Sequence, residues 1–322
     1  MTRFIALIVA LAVILAGVLE WENAAWNAPG PAAHGSVLLI APRTHLRAIA
    51  EMLEKQGAVK SALGFQIGVR YHGEAGELKA GEYALPAHAS MADIAAILVA
   101  GKSIEHKLTA AEGLTSQMIY AIVAADPVLT GDAGAVPAEG TLLPETYLFT
   151  RGMTRREMLA KMAKAQSDLL ANLWPKRDPS LPFTNPQQAV ILASIVEKET
   201  ALPEERRHIA SVFFNRLRLG MKIQSDPTII YGLTRGYPLG RGILESELTS
   251  PTPYNTYVID GLPPTPICNP GKDSIEAVLN PEKTNDLYFV ANGSGGHVFA
   301  ATVDEQNRNV AAWRAIEKKL KK

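Results

Sequence analysis

The distribution of apolar residues divides the chain into a short uncharged run, a linker and two regions with helix and strand periodicity. The apolar run covers residues 4–19, and residues 22–35 form a linker rich in proline, glycine, alanine and asparagine. Beyond the linker, the pattern predicts a small α/β module over 36–109 and a larger unit over 110–322. The predicted fold class is α+β, with a membrane anchor ahead of the two folded regions.

The N-terminal run predicts a transmembrane anchor, assigned to residues 1–21. Phe4–Leu19 is a run of sixteen residues without a charge, preceded by Arg3. Trp21 and Trp26 follow the run, where the aromatic residues of a membrane interface belong. A cleaved signal peptide is the alternative, but no small-x-small cleavage site closes the run. The charge rule predicts that the N-terminus is cytoplasmic and that the rest of the chain lies outside the cytoplasm.

The region 36–109 shows a strand, two helices and a strand, followed by a further helix and strand. Thr44 is the predicted cap of the first helix, and Ser90 is the predicted cap of the third. This order resembles the small LysM-type glycan-binding modules. The residues leave open whether the module binds glycan or serves only as a spacer. The predicted elements are strand 36–41, helices 44–56 and 60–71, strand 78–85, helix 91–99 and strand 103–109.

The larger unit is predicted to be mostly helical, with one hairpin near its end. Thr154 and Glu157 form a capping box that opens a long helix. Residues 221–272 have little periodicity and are too many for an idle loop, so we expect them to form a binding surface. The predicted elements are helices 115–125, 154–174, 184–200, 203–219 and 304–320, and hairpin strands 287–291 and 298–302.

The helix 184–200 carries the residues with the clearest chemistry. It is almost wholly apolar from Ala189 to Val196, which predicts burial, and it ends in Glu197 and Glu199. The two carboxyls lie about 200° apart, because each helical residue turns about 100°. Glu199 continues an apolar stripe, so burial should raise its pKa and suit it to general acid catalysis. The helix alone leaves open that both glutamates are ordinary solvated charges at a helix end.

Composition excludes several classes of protein. The 32 basic and 32 acidic residues cancel, so the sequence indicates no nucleic-acid partner. The single cysteine, Cys268, rules out an intrachain disulfide. The sequence contains no histidine or cysteine cluster with metal-ligand spacing and no glycine-rich phosphate loop. We therefore predict neither a metal nor another cofactor.

Eight short blocks of sequence occur in order between residues 139 and 271. They are Glu139–Tyr147, Ala193–Thr200, Val212–Leu217, Gly220–Thr228, Tyr231–Gly232, Pro253–Tyr257, Gly261–Pro264 and Asn269–Gly271. With these blocks, the chain closely resembles the YceG-like family of endolytic murein transglycosylases. The resemblance covers nearly the whole chain, including the anchor and the LysM-like module. One departure is Gln306, where the family usually has a histidine before Asn307.

The resemblance implies an enzyme anchored in the cell inner membrane by a single span, with its catalytic domain in the periplasm. The implied reaction cuts the β-1,4 bond between N-acetylmuramic acid and N-acetylglucosamine within peptidoglycan glycan strands. It leaves 1,6-anhydro-muramic acid ends, and it terminates or trims nascent strands. Peptidoglycan synthases are candidate partners. One catalytic glutamate is implied, in the block Ala193–Thr200.

The apolar stripe and the resemblance both select Glu199 as this catalytic acid. Other lytic transglycosylases place their acid in a Glu-Ser pair at a helix end, and Glu199-Thr200 is similar to that pair. Glu199 would protonate the glycosidic oxygen and then take the proton of the C6 hydroxyl as the anhydro ring closes. Glu197 is the second, less favoured carboxylate. The candidate substrate-binding residues are Gln224, Ser225, Asp226, Tyr231, Tyr254, Asn255 and Tyr257.

The residues also leave alternatives open. Asp226 could cap the helix that Pro227 begins, Arg216 could form a structural ion pair, and each tyrosine could be a core residue. A muramidase that uses water would need Glu197 or Asp226 as a second carboxylate. A non-catalytic wall-binding scaffold is a further alternative, although it would have little use for a carboxyl at the end of a buried helix.

Overall fold

The computed structural model describes residues 17, 20 and 23–320, and it confirms the mixed α+β class. The chain forms two compact units, Met1–Lys107 with Leu148–Gly152 and Leu108–Tyr147 with Met153–Lys322. The predicted anchor at residues 1–21 lies outside the described residues apart from Gly17 and Glu20. Within the part of the chain that is described, no helix has both the length and the apolar character needed to cross a membrane.

The first unit contains the predicted order of strand, two helices and strand. Strand β1 pairs antiparallel with β2, from Ser36 opposite Leu85 to Ile40 opposite Gly81. The LysM likeness itself is not confirmed by this order. The elements are β1 (Ser36–Ile40), α1 (Leu46–Lys55), α2 (Ala62–Tyr71), β2 (Gly81–Leu85), α3 (Met91–Ala100) and β3 (Glu105–Thr109), the last of which continues into the second unit.

One predicted helix cap in this unit is confirmed and another is wrong. Ser90 caps α3 in a full capping box with Asp93. The predicted cap of α1, Thr44, lies one residue too early, because His45 occupies the N-cap position and its side chain makes no capping bond. The Thr44 hydroxyl instead donates to the carbonyl of Ala41 at 2.7 Å, which closes the turn before the helix.

Trp26 joins the start of the described chain to α2. Its ring stacks on His72 with centroids 5.0 Å apart and lies 6.0 Å from the ring of Phe65. Gly68 makes this approach possible, since a Cβ at that position would lie 2.3 Å from Cε3 of Trp26. As a result, only 5% of the surface of Trp26 is exposed. The residue that the sequence suggests for a membrane interface is thus a packed part of the first unit.

The second unit is mainly helical, and α6 packs against both α7 and α10 at its centre. The capping box of Thr154 and Glu157 is confirmed at the start of α5. Three helices, α8 to α10, fall within or just after the segment 221–272 that lacks clear periodicity. The elements are α4 (Ser116–Ala125), β4 (Thr146–Thr150, whose residues from Leu148 onward belong to the first unit), α5 (Arg155–Leu173), α6 (Pro186–Glu199), α7 (Arg206–Arg218), α8 (Asp226–Thr234), α9 (Glu245–Leu248), α10 (Lys272–Leu279), β5 (Tyr288–Ala291), β6 (His297–Ala300) and α11 (Val303–Leu320).

The predicted hairpin is confirmed, with β5 and β6 antiparallel from Tyr288 opposite Ala300 to Ala291 opposite His297. Glu205 holds the end of this hairpin, because its carboxylate accepts from the backbone N–H of His297 at 2.7 Å and lies 2.7 Å from His297 Nδ1. The Thr200 hydroxyl donates to the same carboxylate at 3.2 Å. The hairpin is therefore tied to the residue that directly follows α6.

Two glycine substitutions in α2 test the role of Trp26. Replacing an internal helical glycine with alanine ordinarily gains about 1 kcal/mol. We expect Gly64→Ala to show this gain, because its Cβ would meet nothing closer than the Ser61 Cβ at 3.5 Å. We expect Gly68→Ala to lose stability, because its Cβ would displace Trp26 from the core. Hydrogen exchange of the α2 amides measures both effects within the first unit, and equal protection in the two variants would contradict this role.

Candidate functional site

The helix α6 fixes where Glu199 lies. Asn185 occupies its N-cap and accepts from the backbone N–H of Gln188 at 3.1 Å, and Pro186 is its first residue. All eight residues from Ala189 to Val196 are buried, as the apolar run predicts. Glu199 is the last residue of this helix and follows its buried segment by three residues.

The carboxyl of Glu199 is held from one side by a serine. Ser225 Oγ donates to Glu199 Oε1 at 2.5 Å, whereas none of the described residues hydrogen-bonds to Oε2. Ser225 is almost fully buried, but Glu199 keeps part of its surface exposed. One carboxyl oxygen is thus oriented by a hydrogen bond, and the other has no hydrogen-bond partner among the described residues.

Burial raises the pKa of Glu199 from the ordinary 4.5 to about 7. The hydrogen bond from Ser225 opposes this rise because it stabilises the anion. The nearby charge of Asp226 raises the pKa further, and that of Arg216 lowers it. At neutral pH a substantial fraction of Glu199 is therefore protonated, which is the form that a general acid needs.

Ser225 is positioned by two threonines that the sequence did not single out. Its backbone N–H donates to Thr256 Oγ1 at 2.9 Å, and its carbonyl accepts from the hydroxyl of Thr228 at 2.6 Å. The two threonine hydroxyls lie 2.9 Å apart. Both threonines belong to the ordered blocks, at Gly220–Thr228 and Pro253–Tyr257, and that membership is the signal by which they could have been found.

Asp226 lies next to Ser225 but does not cap the following helix. Ser225 occupies the N-cap of α8 and Asp226 is the first helical residue, so the predicted capping role is wrong. No side chain caps this helix end, because the Ser225 hydroxyl is committed to Glu199. The carboxylate of Asp226 instead accepts from the hydroxyl of Tyr257 at 2.7 Å.

Arg216 shapes the turn that leads to Ser225. Its Nη1 donates to the carbonyl of Ile223 at 2.8 Å and to the side-chain oxygen of Gln224 at 3.2 Å, and its Nε donates to the carbonyl of Leu287 at 2.6 Å. The predicted structural ion pair is wrong, since among the described residues this guanidinium makes no salt bridge. Gln224 is held in the left-handed region at φ 53° within this turn.

Glu197 contacts a separate set of residues from Glu199. Its carboxylate accepts from the backbone N–H of Gly271 at 2.9 Å and lies 3.7 Å from Nη2 of Arg206. Only 6% of its side chain is exposed. Arg206 also pairs with Glu112 and with Asp273. Glu197 thus fastens the end of α6 to the start of α10.

Three other candidate residues have their polar atoms committed elsewhere. The hydroxyl of Tyr231 donates to Glu139 at 3.1 Å, and that of Tyr254 lies 2.8 Å from the hydroxyl of Thr265. Asn255 is buried, and its Nδ2 donates to three backbone carbonyls between residues 247 and 250. The polar atoms of these three residues thus bond to other parts of the protein. By contrast, Gln224, Asp226 and Tyr257 cluster beside Ser225.

The same side chains do not form a metal site. Within residues 17, 20 and 23–320, no group of three or more histidine, cysteine, aspartate or glutamate residues is arranged to hold a metal ion. The chemistry available at the site is that of a protonatable carboxyl with hydroxyl, amide and carboxylate neighbours.

The comparisons with known proteins point to one family. The model of the YceG-like family matches residues 38–312. A Bacillus subtilis (strain 168) protein named endolytic murein transglycosylase is 32% identical over 292 residues, covering 81% of this chain and 80% of that protein. A protein of the same name from Streptococcus pneumoniae serotype 2 (strain D39) is 32% identical over 320 residues. That match covers 83% of this chain but only 56% of the pneumococcal protein.

A solved structure gives the same result for the fold. The crystal structure of a YceG-like protein from Listeria monocytogenes superposes with a TM-score of 0.53 at 29% sequence identity. The match covers 86% of this chain and 99% of the Listeria chain.

The raised pKa of Glu199 predicts a dependence of stability on pH. The folded state favours the neutral carboxyl of Glu199. The contribution of this group to the free energy of unfolding is therefore complete below pH 4.5 and is lost as the pH rises through about 7. Glu199→Gln removes the ionisable group, so the variant should not lose this stability as the pH rises. Relative to the wild type, we expect the variant to gain at most roughly 3 kcal/mol in free energy of unfolding between pH 4 and 8.

Glu197→Gln is the matched control for this measurement. It leaves Arg206 with one carboxylate fewer, so we expect it to lose about 1–3 kcal/mol at pH 8. Denaturant unfolding at pH 4 and pH 8 compares the two variants with the wild type. If Glu199→Gln lost as much stability as Glu197→Gln at pH 8, the assignment of the unfavourable charge to Glu199 would be wrong.

Proposed function

The chain belongs to the YceG-like family, and we propose that it is an endolytic lytic transglycosylase with Glu199 as its single catalytic acid. The proposed substrate is the β-1,4 bond between N-acetylmuramic acid and N-acetylglucosamine within peptidoglycan strands. The observation that carries this proposal is the carboxyl of Glu199, a half-buried residue, whose pKa burial raises to about 7 and whose Oε1 is held by Ser225. The names of the bacterial relatives support the same activity.

In the first proposed step, protonated Glu199 donates from Oε2 to the glycosidic oxygen. The bond between that oxygen and C1 of the muramic acid breaks, and the leaving sugar departs with the new proton. Ser225 keeps its bond to Oε1 and stabilises the carboxylate that forms. The ring passes through an oxocarbenium-like state, for which the carboxylate of Asp226 supplies negative charge nearby.

In the second step, the C6 hydroxyl of the same muramic acid attacks C1, and Glu199 takes its proton. The ring closes to the 1,6-anhydro product, Glu199 returns to its neutral form, and no water is consumed. A pKa near 7 suits both halves of the cycle, because the group must first give and then accept a proton at neutral pH.

A single carboxyl is sufficient for this chemistry. Glycoside hydrolases usually need a second one, as nucleophile or to activate water. Glu197 is committed to Arg206 and Gly271, which argues against that role. Asp226 is the second carboxylate that a muramidase would use here, because its charge acts on Glu199. The chemistry of the product ends separates the two activities, with anhydro ends for the lyase and free reducing ends for the muramidase.

We further propose that Phe4–Leu19 anchors the protein in the inner membrane with both units on the periplasmic side. The uncharged run, the preceding Arg3 and the extracytoplasmic location of peptidoglycan support this placement. The enzyme would then meet strands close to where peptidoglycan synthases make them. Alkaline extraction of membranes tests the anchor, because an integral protein stays in the pellet and a peripheral one is released.

The central prediction is that Glu199→Gln abolishes strand cleavage. The amide keeps the shape of the side chain but has no proton to transfer, so we expect a loss of about 10²–10⁴-fold. Glu197→Gln should retain most activity, because the structural contacts of Glu197 leave no proton-transfer role to it. Mass spectrometry of the ends released from purified glycan strands measures both variants, with added chelator as the control for metal independence. If Glu197→Gln were inactive and Glu199→Gln active, the assignment would be wrong and Glu197 would be the catalytic acid.

Ser225→Ala should change the pH profile as well as the rate. Loss of its hydrogen bond raises the pKa of Glu199 further, so the decline in kcat/KM at high pH should move to higher pH. Loss of a charge-assisted bond worth about 1.5–3 kcal/mol should also lower kcat roughly 10–100-fold. Ser211→Ala is the matched control, since this buried serine bonds to Thr284. An unmoved profile in Ser225→Ala would refute the role given to this hydrogen bond.

A further inference from the structure

The helix α2 of the first unit carries an exposed apolar stripe. Leu63, Ile67 and Tyr71 have relative exposures of 65%, 48% and 58%. They follow each other at intervals of four residues, so they lie on one side of the helix. The opposite side, which includes Phe65 and Val69, is buried in the core of the unit. This stripe is therefore a surface that the fold of the unit does not cover.

The charges around the stripe fit the surface of a membrane. Helix α2 contains no acidic residue, and Lys60 and Arg70 lie before it and within its last turn. Helices that lie in a membrane interface combine large apolar side chains on one face with basic residues, and tyrosine is enriched at that depth. The stripe and its flanking charges have this composition.

The position of Trp26 brings α2 close to the proposed anchor. Trp26 packs on α2 beside Gly68, and it follows the end of the uncharged run at Leu19 by only seven residues. Seven residues span at most about 25 Å even when fully extended. If Phe4–Leu19 crosses the membrane, α2 is therefore tethered near the membrane surface through a contact within its own unit.

We propose that α2 lies on the periplasmic leaflet, with Leu63, Ile67 and Tyr71 inserted among lipid headgroups and the adjoining acyl chains. This inference rests on the proposed anchor. The lipid contact gives the first unit a fixed orientation on the membrane, which a flexible tether alone would not provide. The occupant is the lipid surface itself, because its distance from the stripe is limited by Trp26 and the phosphates of its headgroups can pair with Lys60 and Arg70.

The first unit offers an internal control on its other side. Val37 and Leu39 are exposed by 51% and 47% on the outer face of β1. They alternate with Leu38 and Ile40, whose side chains enter the core with the helices. Leu39 thus matches Ile67 in apolar character and exposure, but it points away from the helical layer. A membrane beneath α2 should leave Leu39 in water.

The test places a fluorescent reporter at each position in turn. Ile67→Cys and Leu39→Cys are made in the full-length chain, labelled with an environment-sensitive fluorophore and reconstituted into vesicles. The natural Cys268 is fully buried, so the unsubstituted chain should take up little label and sets the background. Vesicles containing lipids with a quencher at a shallow or a deep acyl position report the depth of each probe, since an interfacial helix lies about 5–10 Å into this boundary.

We expect the probe at position 67 to shift to the blue and to lose most of its fluorescence to the shallow quencher. The probe at position 39 should keep the emission of a label in water. Equal emission and equal lack of quenching at both positions would overturn the inference. A blue shift at position 67 without lipid quenching would also overturn it, because a protein surface, from a second copy or a partner, would then cover the stripe.

Alkaline extraction of the same vesicles separates this inference from the anchor on which it rests. An anchored chain whose position 67 stays unquenched overturns the lipid contact of α2 and leaves the anchor intact. Release of the chain into the supernatant would contradict both the anchor and the lipid contact of α2. Strand cleavage by the labelled variants, measured in detergent, should equal that of the wild type, because neither position is among the residues proposed for catalysis.

Discussion

The hydrogen bond from Ser225 to Glu199 is the contact on which the candidate site depends. It joins the end of the buried helix α6 to the residue that opens α8, at 2.5 Å. Burial alone would raise the pKa of Glu199 and leave its orientation free. The serine fixes one oxygen and limits that rise, and it can do so because Thr228 and Thr256 hold its backbone. The site is thus a carboxyl whose environment favours the proton and of which one oxygen has no hydrogen-bond partner among the described residues.

A second carboxyl holds α8 in place from within the unit. Glu139 accepts from the backbone N–H of Ser116 at 2.7 Å, from the hydroxyl of Tyr231 at 3.1 Å and from Nδ2 of Asn269 at 3.2 Å. Burial raises the pKa of Glu139, and the hydrogen bonds from Ser116 and Tyr231 oppose the rise. Three of the ordered sequence blocks therefore meet in one hydrogen-bonded network. The role of Tyr231 follows from this contact, since its hydroxyl supports α8.

Elements that are set by interactions between neighbouring residues were predicted well from the sequence, and elements that depend on distant contacts were not. A helix was predicted over 184–200 and α6 spans Pro186–Glu199, a close match because its cap, its proline and its apolar run are all local signals. The start of α8 at Pro227 was predicted, whereas the short helices α9 and α10 were not. They are held by contacts such as those of Asn255, whose amide binds three carbonyls of the preceding turn. The predicted capping roles of Thr44 and Asp226 were wrong for a related reason, because the Thr44 hydroxyl bonds to the carbonyl of Ala41 and the Asp226 carboxylate accepts from Tyr257.

The sequence by itself determined the α+β class, the buried helix and the opposed directions of its two terminal glutamates, because helical periodicity acts over a few residues. Through its ordered blocks it also indicated the family. Only the tertiary structure decided what each carboxyl meets. The bond from Ser225 to Glu199 spans 26 residues, that from Tyr231 to Glu139 spans 92, and that from Gly271 to Glu197 spans 74. Partners so far apart are set by how the whole unit packs, and no local pattern encodes them.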